Sequence, residues 1–367
     1  MSAATGPVGV GVIGAGVIST QYLESLRTFA DVRVLFVADL DLDRARAKAE
    51  EFGIPGWGSV DDLLNDDAIE IVVNLTIPAV HVEIAARAVR AGKHVWTEKP
   101  FSVDRASGEE LLQLAAAHGA RVATAPDTFL GSGLQEAQRL IADGAIGRPL
   151  SALAVMQSPG PDMWHPSPEF LFARGAGPLF DFGPYYVTAL VQNLGPVQSV
   201  SATATRAREV RVIRSGSKEG TEFPVEVPTT VSALLRFEGG GSAQALFSFD
   251  SALRRAGVVE IMGEHGTLVL TDPNQFDGTI VLHRPDAEPQ EIPTTAIAGR
   301  GTGVLELARA IRAGVPERAS GALAYHVVDV LLAIAEAAES GGVVEVASSV
   351  ESAPTLPGGW DPRTATL

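Results

Sequence analysis

The first third of the chain alternates two hydrophobic periods. Short apolar, β-branched runs at residues 8–13, 32–38, 69–75, 94–97 and 121–125 read as buried strands. Stretches of helical period lie between them. One runs from about Ser19 to Phe29, and one covers 42–52, opened by Asp41 and closed by Gly53. A short helix is expected over 59–64, another over 79–91 ending at Gly92, and another over 106–118 closed by Gly119. Strands separated by helices of this length pair in parallel through right-handed crossovers. This part of the chain therefore predicts an α/β fold with a doubly wound parallel sheet.

After about Pro126 the pattern changes. One helix is clear, over 135–143 and stopped by Gly144. Strand candidates follow at 150–157, 197–204, 229–237, 242–249, 258–262, 267–270 and 279–282, joined by turn-rich linkers such as Glu238-Gly239-Gly240-Gly241. That pattern predicts a mainly antiparallel open sheet. Helices near 303–313 and 322–339 and a strand at 343–346 complete the pattern, and 355–367 reads as a loop or an interface arm. A chain of 367 residues exceeds what one core usually organises. The expected division is a nucleotide-binding domain over 1–126 and a substrate-binding and oligomerisation domain over 127–367.

Composition narrows the chemistry. Lys and Arg number 28 against 44 Asp and Glu, a net charge of −16, which repels phosphate backbones and argues against nucleic acid as a partner. Cysteine is absent, so disulfides, thiolate nucleophiles and cysteine metal sites are excluded together. That suits a reducing compartment, and a cytoplasmic location is expected. Glycines interrupt the apolar run at 8–18, which reads as a strand and turn rather than a signal core. No uninterrupted apolar stretch nears the roughly 20 residues of a membrane helix. The histidines at 81, 94, 118, 165, 265, 283 and 326 form no helical pair with a carboxylate at metal spacing, so no metal is expected. His118 sits at a helix end, and His326 lies in an apolar helix, read as a core residue with a pocket member as the other reading.

Gly14-Ala15-Gly16-Val17-Ile18-Ser19 follows the first strand and opens the first helix. Gly14 permits the tight turn, Gly16 lets a pyrophosphate approach the backbone, and the helix N-terminus offers free N–H groups. Ser19 stands where a third glycine is usual. Asp39, at the end of the second strand, suits the ribose hydroxyls of NAD and would repel a 2′-phosphate; the other reading makes it a cap within the acidic turn 39–43. Leu40 follows it, so NAD is preferred to NADP, which Arg44 and Arg46 keep open. Thr97-Glu98-Lys99-Pro100 follows a strand directly, where a lysine ammonium can stabilise negative charge developing on an oxygen.

Glu98-Lys99-Pro100, preceded by Ala91-Gly92-Lys93-His94-Val95, resembles the signature of the glucose–fructose oxidoreductase / inositol dehydrogenase (Gfo/Idh/MocA) family. Gly14-Ala15-Gly16, the stretch 76–81 (Thr-Ile-Pro-Ala-Val-His) and Gly144-Ala145-Ile146-Gly147 match in family order. The resemblance covers about residues 7–340. It implies an N-terminal Rossmann domain that contacts NAD through Gly14, Gly16, Val17, Ile18, Asp39, Thr76, Pro78, His81, Glu98 and Lys99.

The family's second catalytic segment matches residues 175–185, with Ala176 where a glycine is common. Asp181 and Tyr185 would share one helix face. The Tyr-bearing version is similar to glucose–fructose oxidoreductase and the dihydrodiol and xylose dehydrogenases. By this likeness Tyr185 is the general acid/base and Lys99 its electrostatic partner at the reacting oxygen, the ammonium lowering a phenol pKa that starts near about 10. Tyr186 competes for that role. Asp181 orients a substrate hydroxyl or Lys99, or else caps its helix.

Asp127, Trp164, His165 and Arg174 are candidate substrate contacts. Trp164, Phe170 and Phe172 offer aromatic faces to a sugar ring, or else pack a Pro-pinned loop onto the core. The implied reaction is hydride transfer between nicotinamide and a secondary alcohol or ketone carbon of a sugar, cyclitol, polyol or glycoside. The expected assembly is a homodimer or homotetramer with no membrane partner. Two alternatives stay open: a glycoside-cleaving enzyme that oxidises transiently with retained NAD, and a non-catalytic NAD-binding regulatory protein.

Overall fold

The computed structural model describes residues 5–367. Its first unit is built on β1 (Val8–Ile13), β2 (Val32–Ala38), β3 (Gly56–Gly58), β4 (Ile71–Asn74), β5 (His94–Thr97) and β6 (Val122–Thr124). These form one sheet in the order β3-β2-β1-β4-β5-β6 with every pair parallel. Every residue of the central β1 and β4 is buried, which is why both read as unbroken apolar runs.

The crossover helices are α1 (Val17–Leu26), α2 (Leu42–Phe52), α3 (Val60–Leu64), α4 (His81–Arg90) and α5 (Arg105–His118). Their ends follow the sequence signals. Asp41 caps α2 by accepting from Arg44 N, and Ser59 with Asp62 forms a capping box on α3. Gly53 and Gly119 close α2 and α5 in the left-handed conformation. His118 is the last residue of α5, as expected.

The second unit opens with α6 (Ser132–Ala142) and β7 (Pro149–Gln157), then α7 (Gly177–Leu194) and β8 (Val197–Thr205). A small hairpin, β9 (Val210–Val212) with β10 (Glu222–Pro224), stands apart from the main sheet. The sheet continues with β11 (Thr230–Phe237), β12 (Ser242–Ser248), β13 (Arg255–Gly263), β14 (Thr267–Val269), β15 (Gly278–His283) and β16 (Gln290–Thr294). Alternation is plain in β11, where Val231, Ala233, Leu235 and Phe237 are buried and Ser232, Leu234 and Arg236 exposed.

The chain then returns to the first unit. α8 (Thr302–Ala313) belongs there, and α9 (Gly321–Ser340) begins there and continues into the second. β17 (Val343–Glu345) completes a nine-stranded sheet ordered β16-β15-β14-β13-β7-β12-β11-β8-β17, mixed only at the parallel pair β7–β12. By length and composition α9 could cross a membrane, but 61% of its apolar window is buried in the protein. His326 within it is fully buried, in keeping with its reading as a core residue.

The expected boundary at residue 126 is corrected on two counts. The first unit runs through Gly131 and also takes Ala296–Val328 and Ala353–Leu367. Its last segment is held as a strap along that unit. Asp31 accepts from Thr366 N at 2.9 Å and Thr366 Oγ1 at 2.7 Å. Arg309 donates to Asp31 at 2.8 Å and to the Asp361 and Thr364 carbonyls at 3.0 and 2.7 Å. A buried Asp–Arg pair with several further hydrogen bonds fixes the tail in a way that local periodicity cannot announce.

Candidate active site

The turn after β1 has the geometry its glycines suggested. Gly14 has φ +103°, and a Cβ on it would stand 2.6 Å from the Leu75 carbonyl oxygen. Gly16 is the N-cap of α1, no side chain caps the helix, and nothing lies within 4 Å of where a Cβ would point. The N-terminal N–H groups and the positive end of the helix dipole are thus left for an anion. Ser19 keeps the close packing of the missing third glycine: it is fully buried and its Oγ donates to Gly16 O at 2.6 Å.

Three large apolar side chains stand just past the carboxyl ends of β1, β2 and β4. Val17 is 92% exposed, Leu40 97% and Ile77 66%, with Ile18 half-buried beside them. Such a cluster beside an uncapped helix N-terminus fits a dinucleotide, whose rings would cover it.

Asp39 ties the ends of β1 and β2 together. One carboxylate oxygen accepts from Ala15 N at 2.8 Å and the other from Asp41 N at 2.9 Å, with Arg44 3.8 Å away. Asp41, not Asp39, caps α2, so the capping alternative fails. Each Asp39 oxygen keeps lone-pair capacity for ribose hydroxyls.

At the end of β4, buried Asn74 accepts from Thr76 Oγ1 at 2.7 Å and donates to His81 O at 3.0 Å. Pro78 is exposed and opens a single 3-10 turn. His81 is corrected as a cofactor contact. It is 1% exposed, and its ring nitrogens face Pro100 O at 2.9 Å and Thr76 O at 3.0 Å. It holds the β4 turn to the segment after Lys99 from within.

Lys99 follows the carboxyl end of β5 and is half-buried. Glu98 Oε2 accepts from Lys99 N at 3.1 Å, while its Oε1 accepts from Tyr22 Oη at 2.7 Å. Tyr22 Oη also accepts from Trp96 Nε1 at 3.1 Å. Burial, with the Glu98 and Asp127 charges adding to it, pushes the Tyr22 phenol well above its ordinary range, so it stays a donor. Sequence reasoning missed Tyr22 and Trp96; the available signal was a tyrosine on the buried face of α1 among Leu23 and Leu26.

Asp127 is likewise corrected as a substrate contact. Its side chain is 0% exposed, and Oδ2 accepts from Gly301 N at 2.8 Å and Gly303 N at 3.2 Å. It caps α8 from a distance in sequence. Burial raises its carboxyl to about 6 despite the opposing pull of Arg300 and the two N–H groups.

In the second unit, Asp181 and Tyr185 lie on α7, one turn apart on a shared face. Ala176 is the N-cap and Asp181 the fifth helical residue, so Asp181 is not a cap. Pro184 lies inside this helix and offers no N–H to Phe180 O.

The two neighbouring tyrosines separate cleanly. Tyr186 is fully buried, edge-on to Phe247 with ring centroids 5.7 Å apart, and its Oη accepts from Gly257 N at 2.7 Å. Burial raises its phenol strongly. Tyr185 keeps 7% exposure. Tyr186 is a core residue and cannot compete as an acid/base group.

Trp164 and Phe170 are each 59% exposed and stand edge-on to His165, both centroid pairs at 5.5 Å. His165 Nδ1 accepts from Ser167 N at 3.0 Å. Phe172, by contrast, is fully buried against Phe223 and Phe249, so it belongs to the core and offers no face to a ligand. Arg174 is exposed.

A six-stranded 3-2-1-4-5-6 parallel sheet with this glycine turn defines a dinucleotide-binding Rossmann domain. Comparison with known proteins agrees. Residues 8–125 match the model of an oxidoreductase family with an NAD-binding Rossmann fold, and residues 134–269 match the GFO/IDH/MocA C-terminal domain.

An uncharacterised oxidoreductase of Rhizobium meliloti is 31% identical over 268 residues, 72% of this chain and 74% of that one. The dTDP-3,4-didehydro-2,6-dideoxy-alpha-D-glucose 3-reductase of Actinomadura kijaniata is 28% identical over 295 residues, 77% of this chain and 82% of its own. A solved NAD binding oxidoreductase from Klebsiella pneumoniae superimposes with a TM-score of 0.82 at 22% identity, covering 94% of this chain and 100% of its own. The chain belongs to the GFO/IDH/MocA family of NAD-binding oxidoreductases.

Proposed function

We propose that this oxidoreductase interconverts a secondary alcohol and a ketone on a carbohydrate-like ring, with Lys99 and Tyr185 acting at the reacting oxygen. The observation that carries the reading is the position of Lys99: it follows the carboxyl end of β5 in the NAD-binding unit, its backbone anchored to Glu98. When bound, NAD supplies the hydride acceptor, or NADH the donor in reverse. The Lys99 ammonium hydrogen-bonds the oxygen and stabilises its developing negative charge. The Tyr185 phenol takes the hydroxyl proton in oxidation and returns it in reduction. Asp181 orients a neighbouring hydroxyl. The exposed faces of Trp164 and Phe170 suit the CH face of a sugar ring.

The sugar reductase among the relatives supports a ring substrate with several oxygens. Asp39 and Leu40 favour NAD over NADP, since a carboxylate repels the 2′-phosphate and no cation replaces Leu40. The open face of the nine-stranded sheet, with Leu153, Val155, Leu234 and Leu246 around a hollow, suits homo-oligomer formation. The test of the function is NADH formation with a panel of aldoses, inositols and methyl glycosides. Turnover on at least one polyhydroxylated ring is expected, and NAD-dependent turnover on none of them would reject the reading.

A further inference from the structure

Five cations fall within thirteen residues around β9: Arg206, Arg208, Arg211, Arg214 and Lys218, in a chain of net charge −16. Three of them are already engaged. Arg206 pairs with Glu209 and Lys218 with Glu169, both at 2.8 Å. Arg211 is 3% exposed and clamps two loops together. Its Nη1 donates to Asp162 Oδ1 at 2.7 Å and Pro159 O at 2.9 Å; its Nη2 donates to Asp250 Oδ1 at 2.5 Å and Phe249 O at 2.7 Å.

Arg208 and Arg214 differ. Both are exposed, and among the described residues neither side chain has an acidic partner. Both line one pocket of about 360 Å³ together with Arg211. The acids on its wall, Asp162 and Asp250, are held by Arg211, and the second oxygen of Asp250 accepts from Thr229 at 2.6 Å and Thr230 at 3.0 Å. The pocket therefore keeps two un-neutralised guanidiniums over a floor whose acids are already paired with Arg211. Isolated surface arginines are ordinarily just solvated. Two that line one concavity of an acidic protein, where the lining acids are already paired with Arg211, form a receptor for an oxyanion.

We propose that this pocket binds a small phosphate-bearing anion between the guanidinium forks of Arg208 and Arg214. A phosphate dianion presents three oxygens and accepts paired N–H donors from planar guanidinium groups, a match that ammonium groups do not give. The site is independent of the proposed catalytic roles, since none of its residues takes part in them.

The test is calorimetric titration of the full chain with inorganic phosphate at low ionic strength, in saturating NAD so that the glycine turn is covered. One saturable site is expected. The double variant Arg208→Ala/Arg214→Ala should bind at least about tenfold more weakly, with unchanged thermal unfolding, while Arg33→Ala, an exposed arginine of the other unit, should bind as the wild type does. Added salt should weaken the wild-type site. A second arm uses glucose 6-phosphate. Tighter binding than inorganic phosphate, lost in the double variant, identifies a sugar phosphate as ligand; equal binding, also lost, identifies the free anion. No saturable heat, or heat that the double variant leaves unchanged, overturns the proposal.

Discussion

Tyr22 on α1 donates its hydroxyl hydrogen to Glu98 at 2.7 Å, and the same carboxylate receives the backbone N–H of Lys99 at 3.1 Å. The helix that opens at the glycine turn is thereby joined to the lysine proposed for catalysis. Removing the hydroxyl leaves Trp96 Nε1 without its acceptor and Glu98 Oε1 without this donor, while Oε2 keeps the Lys99 N–H. Tyr22→Phe should lose about 1–3 kcal/mol of stability in urea unfolding, the cost of stranded buried polar groups. Turnover should fall while the KM for NAD changes little, because the turn itself is intact. Unchanged stability and turnover would show that the contact carries no weight.

Cofactor choice should follow the charge at Asp39. Asp39→Asn keeps an acceptor for Ala15 N but removes the repulsion of a 2′-phosphate. The ratio of kcat/KM for NAD to that for NADP should drop at least about tenfold, or about 1.4 kcal/mol. A ratio that does not move would take Asp39 out of cofactor selection.

Asp127 gives a pH signature. Its folded-state carboxyl lies at about 6, raised by burial above the ordinary 3.8. A carboxyl raised by folding favours the fold when protonated. That contribution is complete below about 4 and disappears as pH rises through about 6. Relative to Asp127→Asn, the wild type should therefore lose stability across this window. Parallel stability curves for the two proteins would contradict the assignment.

The two adjacent tyrosines should behave oppositely. Tyr185→Phe should cut turnover by about a hundredfold or more, as loss of a general acid/base does. Tyr186→Phe should leave turnover within a few-fold, roughly, and instead lower stability by about 1–3 kcal/mol, because Gly257 N–H loses its acceptor. Steady-state kinetics beside thermal unfolding separates these effects.

What the sequence revealed depended on whether the signal was local. The glycine turn, the caps at Asp41, Ser59 and Gly119, and the parallel strands β1, β2, β4, β5 and β6 were readable, because turns, caps and periodicity act over a few residues, whereas the three-residue β3 was not. The catalytic roles of Lys99 and Tyr185 rest on motif order and stand as proposals.

Burial was not readable. His81 and Asp127 are polar residues beside motifs, and only long-range packing makes one an internal brace and the other a helix cap. The return of residues 296–328 and 353–367 to the first unit depends on partners such as Asp31, hundreds of residues away in sequence. The β9–β10 hairpin escaped notice because its three-residue strands are too short for a period to show.

The central claim is tested most directly by Lys99→Ala, assayed for turnover on whichever polyhydroxylated substrate the wild type oxidises, with NADH binding followed by fluorescence on the same sample. The account predicts turnover down by at least about a hundredfold with NADH still bound. Near-wild-type turnover would contradict it.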